Sequence, residues 1–253
     1  GIIRQPLYTE ATHKTSDTTA GLPGLAPFIR GARPVSDKHL PWHIAQRVVI
    51  GRGAADNDQI LTDLAGGVSA LVLDFSSVKS VTTDDLDALL DGVMLDIAPV
   101  VLAPAGCGID GILAFIELLT RRHEDAQAVS GYLNFDPFAT ALAANQPVSS
   151  QGLEALVARA ADPPNLALMT ASGAAFHNEG AAPTDELAYM LAALTQNLRL
   201  LEAQGLAPED ALARINLTLS ADTDFFMTIA KIRSARQLFH MVAKNIDCAH
   251  VAP

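Results

Sequence analysis

The residues best placed by type and spacing for chemistry are His177 and Glu179, in the polar run His177-Asn178-Glu179-Gly180. An imidazole titrates near neutral pH, and a carboxylate two residues away can orient it and stabilise its charged form, which makes a general acid and base pair. The same residues also suit an ordinary turn, with Asn178 and Gly180 supplying the backbone geometry. His-x-Glu opens the zinc deaminase signature, but no Pro-Cys-x-x-Cys follows it. A second acidic group, Asp84-Asp85-Leu86-Asp87 continued at Asp91, has the oxygen ligands of a hard-cation site. Its place at the start of a predicted helix accounts for it more simply, because acids favour the positive end of a helix dipole. Gly51-Arg52-Gly53 and Gly106-Cys107-Gly108 fall short of a dinucleotide fingerprint, and there is no phosphate loop or serine elbow. Cys107 and Cys248 are isolated, and His39, His43, His123, His240 and His250 are scattered, so no metal is implied.

These groups need elements to hold them. Five short apolar runs, Ala70 to Phe75, Ala98 to Ala103, Gly131 to Phe135, Ala167 to Ala171 and Ile215 to Ser220, alternate with helical stretches. That alternation predicts an α/β fold with parallel strands and crossover helices. The strongest helix runs from Asp185 to Gln204, with Leu187, Met190, Leu191, Leu194, Leu198 and Leu201 on one face, Thr184 as its cap and Gly205 as its stop. A last helix, Thr223 to Lys244, places Phe226, Ile229, Ile232, Leu238 and Val242 near one face and leaves Lys231, Arg233 and Arg236 for solvent or a partner. His177, Asn178 and Glu179 follow the fourth of these strands and Asn134 closes the third, at the strand ends where such folds place their sites. Five units do not close an eight-unit barrel, so the expectation is a TIM-type barrel truncated after about five to six units, with an open doubly wound sheet as the alternative. Residues 1–45 carry Gly21-Leu22-Pro23-Gly24, Pro27, Gly31 and Pro34 without a sustained period, and are read as an extended arm ahead of a partial barrel over 46–253.

The 253 residues are 49% hydrophobic and 18% charged, enough to bury a core. A formal charge of −11, with 28 acids against 17 bases, excludes the gathered Lys and Arg that a nucleic-acid partner requires. No apolar run approaches the roughly 20 residues of a membrane span, and two unpaired cysteines suit a reducing cytoplasm.

Three groups of residues carry a family resemblance. Pro23-Gly24, Pro27-Phe28-Ile29-Arg30-Gly31 and Trp42-His43-Ile44-Ala45-Gln46 resemble the arm of methylmalonyl-CoA mutases, and Ser172-Gly173, Phe176 to Ala181 and Glu186 to Tyr189 resemble a strand-end loop and helix of that family. Phe225-Phe226-Met227-Thr228-Ile229-Ala230-Lys231-Ile232-Arg233-Ser234-Ala235-Arg236 is similar to its F-x-x-[IV]-A-K-x-R-A-A-R helix. The resemblance implies a coenzyme A-threaded barrel, an arm that wraps a partner, and adenosylcobalamin in the complete enzyme, held by a D-x-H-x-x-G domain whose motif is missing from this sequence. It is closest to the noncatalytic small subunit of a heterodimer. Where the catalytic large subunit carries a coenzyme A-contacting arginine and an active-site tyrosine, this chain has Leu40 and Arg47. The substrate-facing threonine and glutamine become Tyr132 and Asn134, and the thioester-binding histidine becomes Ala175. The carboxylate-binding arginine segment is absent before Leu166. By the same resemblance Asn134 and Asn178 are candidates to contact substrate, Phe28, Arg30 and Trp42 to contact the partner, and a vestigial coenzyme A site is expected. The competing expectation is an independent α/β enzyme acting on a small acyl or phosphorylated substrate through His177 and Glu179.

Overall fold

A computed structural model describes residues 7, 21–51, 53–122, 129–160 and 165–253. Most of the predicted arm before residue 21, together with Arg52 and His123, lies outside the described residues. Six strands form one parallel sheet: β1 (Ala45–Val49), β2 (Ala70–Asp74), β3 (Val100–Ala103), β4 (Gly131–Phe135), β5 (Leu166–Ser172) and β6 (Ile215–Thr218). Between them run α1 (Ala54–Ala65), α2 (Thr83–Leu89), α3 (Gly108–Arg121), α4 (Pro137–Ala144), α5 (Leu153–Arg159), α6 (Ala174–Asn178), α7 (Pro183–Ala203) and α8 (Pro208–Ala213), and α9 (Phe225–Asn245) follows β6. The α/β class holds, and all five predicted strands are present. The expected count missed β1, whose sequence Ala-Gln-Arg-Val-Val is not an apolar run because only Val48 is buried.

The strand order is β1-β2-β3-β4-β5-β6, without the reversal that defines the switch point of a doubly wound sheet. Leu71, Leu73, Leu102, Leu133 and Leu168 form a fully buried layer with Ile60 of α1, Leu86 of α2, Phe115 of α3, Met190 and Leu194 of α7 and Phe239 of α9. The opposite row follows the strand register through Arg47, Val72, Val101, Tyr132 and Ala167. It stays partly exposed and lines a cavity of about 820 Å³. Alternate residues of a strand point to opposite faces, so among the described residues one face is packed by helices and the other is left open. β1 and β6 are the two edges of the sheet.

Local chemistry sets the helix boundaries. The acidic run lies at the start of α2, where Thr82 and Asp85 form a capping box. Asp84 and Asp87 pair with Arg121 and Arg122 from the end of α3. Three expectations for the long helices need correction. α7 begins one residue ahead of Thr184, with Pro183 in its first turn and no side-chain cap, because proline's fixed φ already suits that position. Gly205 follows its end in a left-handed conformation, as expected. In α9 the buried positions are Lys231, Ala235, Phe239 and Ala243, while Phe226, Ile229 and Ile232 are exposed. Lys231 is therefore not available to solvent; it is 2% exposed. Asp224 caps α9 by accepting from the Met227 amide at 3.1 Å.

Candidate functional site

The C-terminal ends of β4, β5 and β6 hold the polar residues singled out by the sequence. Asp136 follows β4 and caps α4, accepting from the amides of Phe138 at 3.1 Å and Ala139 at 2.9 Å. Burial raises its carboxyl above the ordinary range despite those two donors. Burial and the nearby Asp136 charge likewise raise the Tyr189 hydroxyl, and the Tyr189 ring stacks on Phe176 with centroids 4.1 Å apart.

His177 lies in α6, with its side chain about a quarter exposed. Its carboxylate neighbour is Glu186, with Nδ1 3.6 Å from Oε2, a residue the sequence reading used only for its helix. Glu179 and Asn178 are exposed at the end of α6, and among the described residues Glu179 forms no ion pair. A close-range acid and base pair thus forms between positions nine apart in sequence, because the turn after α6 brings α7 back over the loop. Glu186 is fully buried; its Oε1 accepts from the Ser220 amide at 2.7 Å and its Oε2 from Lys231 Nζ at 2.5 Å. Neither Glu186 nor Lys231 was anticipated as part of a site, although a lysine on the buried side of an amphipathic helix is a signal of a buried partner.

Asn134, the next-to-last residue of β4, is in a left-handed conformation, φ 51°, at an irregularity in the β4 to β5 register. Its Nδ2 donates to Leu102 O at 3.0 Å, whereas its Oδ1 is buried without a partner. Asn216 Oδ1 on β6 is likewise unpartnered, and both asparagines line the 820 Å³ cavity with Arg47, Tyr132, Ile232 and Arg236. Arg47, which stands on the open face, gives its Nε and Nη2 to Asp74 Oδ2 at 2.8 and 2.7 Å. Burial pushes the Asp74 carboxyl up, but the Ser76 amide and hydroxyl together with Arg47 outweigh it and hold the group below the usual range. His177, Glu179 and Asn178 do not line this cavity. Leu40 and Trp42 are exposed, and Trp42 is 71% exposed.

The arm's Phe28 is buried, edge-on to His240 of α9 with centroids 6.2 Å apart. Arg30 is exposed on the same turn, which is closed by Phe28 N to Leu25 O and Gly31 N to Phe28 O bonds of 2.8 and 2.9 Å. Among the described residues, no group of His, Cys, Asp and Glu is placed to hold a metal ion, and no helix is long and apolar enough to cross a membrane.

The sequence model of methylmalonyl-CoA mutase matches residues 1–84 and 77–250. The chain belongs to the methylmalonyl-CoA mutase family. It is 39% identical over 230 residues to a probable methylmalonyl-CoA mutase small subunit of Mycobacterium tuberculosis (strain H37Rv), covering 89% of this chain and 37% of that protein. It is 36% identical over 250 residues to the methylmalonyl-CoA mutase small subunit of Streptomyces virginiae, covering 96% and 39%. A methylmalonyl-CoA mutase of Cereibacter sphaeroides is 26% identical over 269 residues, covering 96% and 38%. The chain therefore spans under two fifths of the length of these curated mutase relatives.

Proposed function

We propose that this chain is a noncatalytic barrel piece of an adenosylcobalamin-dependent methylmalonyl-CoA mutase, part of a small subunit that supports a catalytic large subunit in a heterodimer in the cytoplasm. The partner chain would interconvert methylmalonyl-CoA and succinyl-CoA. Adenosylcobalamin belongs to the complete enzyme, since the D-x-H-x-x-G motif that would hold it does not occur among these residues.

The observation that carries the reading is the fate of Arg47. It stands where a catalytic chain of the family carries its active-site tyrosine, and its guanidinium is committed to Asp74 by two short bonds. A cationic guanidinium held against Asp74 is no substitute for a neutral phenol, whose single hydroxyl both donates and accepts. Tyr132, Asn134 and Ala175 replace the remaining substrate-facing groups in the same way. Asn134 and Asn178 remain the candidates for any residual acyl-CoA contact, and only Asn134 borders the open cavity.

The architecture in this reading is an incomplete (β/α) barrel of five to six units over residues 46–253 behind an extended arm. Sequential strand order and, among the described residues, an uncovered inner face, two unpaired edges and exposed Phe226, Ile229 and Ile232 support it, since further β/α units would cover them. In the arm, Arg30 and Trp42 face outward toward a partner and Phe28 anchors the turn to α9. The independent-enzyme reading loses support because, among the described residues, the carboxylate beside His177 is Glu186 and not the exposed Glu179, and His177 lines none of the sheet-face cavity.

The test is adenosylcobalamin-dependent interconversion of methylmalonyl-CoA and succinyl-CoA, measured with this chain alone and after co-expression with a catalytic subunit. Activity only in the co-purifying sample supports the proposal. Activity of the isolated chain overturns it.

A further inference from the structure

Glu186 touches three segments of the chain: the end of β5 with α6, the loop after β6, and α9. Its carboxylate takes the Ser220 amide from the loop after β6, Lys231 from α9 and, at 3.6 Å, His177 from α6. Behind it stands Gly173, where a Cβ would lie 2.5 Å from Glu186 Cγ and 2.7 Å from Glu186 O. Only glycine lets α7 approach the end of β5 this closely. The segment from Ser220 to Lys231 is pinned at both ends by this one carboxylate, and between those points it carries the exposed aromatic pair Phe225 and Phe226.

We propose that Glu186 is a positioning residue, a buried brace that makes the loop after β5 and the loop after β6 open and close as one unit. A carboxylate that is 0% exposed has no water to replace a lost donor, so releasing Lys231 leaves an uncompensated charge in the interior and releasing Ser220 leaves a carboxylate oxygen without a donor. Two loops that share such an acceptor have few independent arrangements. Displacing Glu186 from the β5 side therefore frees Ser220 on the β6 side, which is 47 positions further along the chain than Gly173.

Residue-resolved amide hydrogen exchange on the full chain tests the coupling. In the unaltered protein the amides of His177 and Ser220 are expected to share one opening free energy across a denaturant series, as members of one cooperative unit. Separate opening free energies overturn the proposal. Gly173→Ala, made on the β5 side, is expected to speed exchange at Ser220 on the order of tenfold or more. A change confined to residues 173–178 would instead mean a local role. Lys231→Met is expected to speed exchange in both loops, and Glu186→Gln in the same chain should recover most of the loss, because the amide still accepts from Ser220 and no unpaired charge remains. A double variant no better than Lys231→Met alone counts against the brace. Should either substitution prevent folding, the shared opening in the unaltered chain still decides the question.

Discussion

At the scale of single residues, the structure turns on a few polar groups whose partners come from distant segments. Arg47 and Asp74 are one such pair. Asp74 sits below its unfolded carboxyl range, so its contribution to stability is complete above the unfolded value, near 3.9, and is lost as pH falls below that toward the folded value. Arg47→Ala weakens that hold and is expected to move the acid-unfolding midpoint to higher pH, read by circular dichroism during an acid titration. Gly106 supplies a second residue-scale test. A Cβ there would fall 2.1 Å from Phe75 O and 2.2 Å from Val78 O, both backbone atoms with little room to yield. Gly106→Ala is expected to cost about 3 kcal/mol, visible as a lower denaturant midpoint. The sequence marked His177 as the residue worth watching but paired it with Glu179. Its partner Glu186 was visible only as the start of the family-like stretch Glu186 to Tyr189, since nothing in local spacing says that α7 folds back over α6.

At the scale of elements, helix ends are defined by side chains that the sequence displays openly. Thr82 and Asp85 close α2 reciprocally, and Thr82→Ala is expected to cost about 1 kcal/mol, roughly 2–4 °C in Tm for a domain of this size. The other end of α2 is held from a different element. Arg122 gives Nη1 to Leu90 O at 3.1 Å and Nη2 to Asp87 O at 2.8 Å, and its Nε pairs with the Asp87 carboxylate at 2.7 Å. Arg122→Ala leaves those carbonyls without their donor and is expected to cost about 1–3 kcal/mol, measured by chemical denaturation. Arg122→Lys should recover only part of this, because a single ammonium cannot reproduce the fork. Strands were the most legible elements, since β2 to β6 each carry apolar residues that one face of the sheet buries beneath helices. β1 escaped because Gln46 and Arg47 interrupt it, leaving only two consecutive apolar residues in the strand, Val48 and Val49. The orientation of α9 was misread for a related reason: its apolar residues outnumber the positions the sheet covers, and the buried side includes Lys231.

For the whole molecule, the decisive feature is a parallel sheet with one face packed and the other open. An exposed apolar surface of this kind favours association. The isolated chain is therefore expected to bind a hydrophobic fluorescent dye such as ANS, and the signal is expected to fall when a catalytic subunit is co-purified with it. Dye binding that persists in the complex would place the open face outside the interface and the barrel interior.

The α/β class, the run of strands β2 to β6 and the membership of the mutase family are readable from the sequence, because each depends on periodicity or on residue identity at particular positions. The tertiary structure alone decided that Glu186 is the carboxylate beside His177, that Lys231 is interior, that Arg47 is engaged by Asp74 and that Phe28 packs on α9. Each is a contact across 9 to 212 positions of sequence, set by how whole elements stack against one another. Local patterns fix which face of a strand or helix is apolar, but the partner that a polar group finds is chosen only when those faces meet.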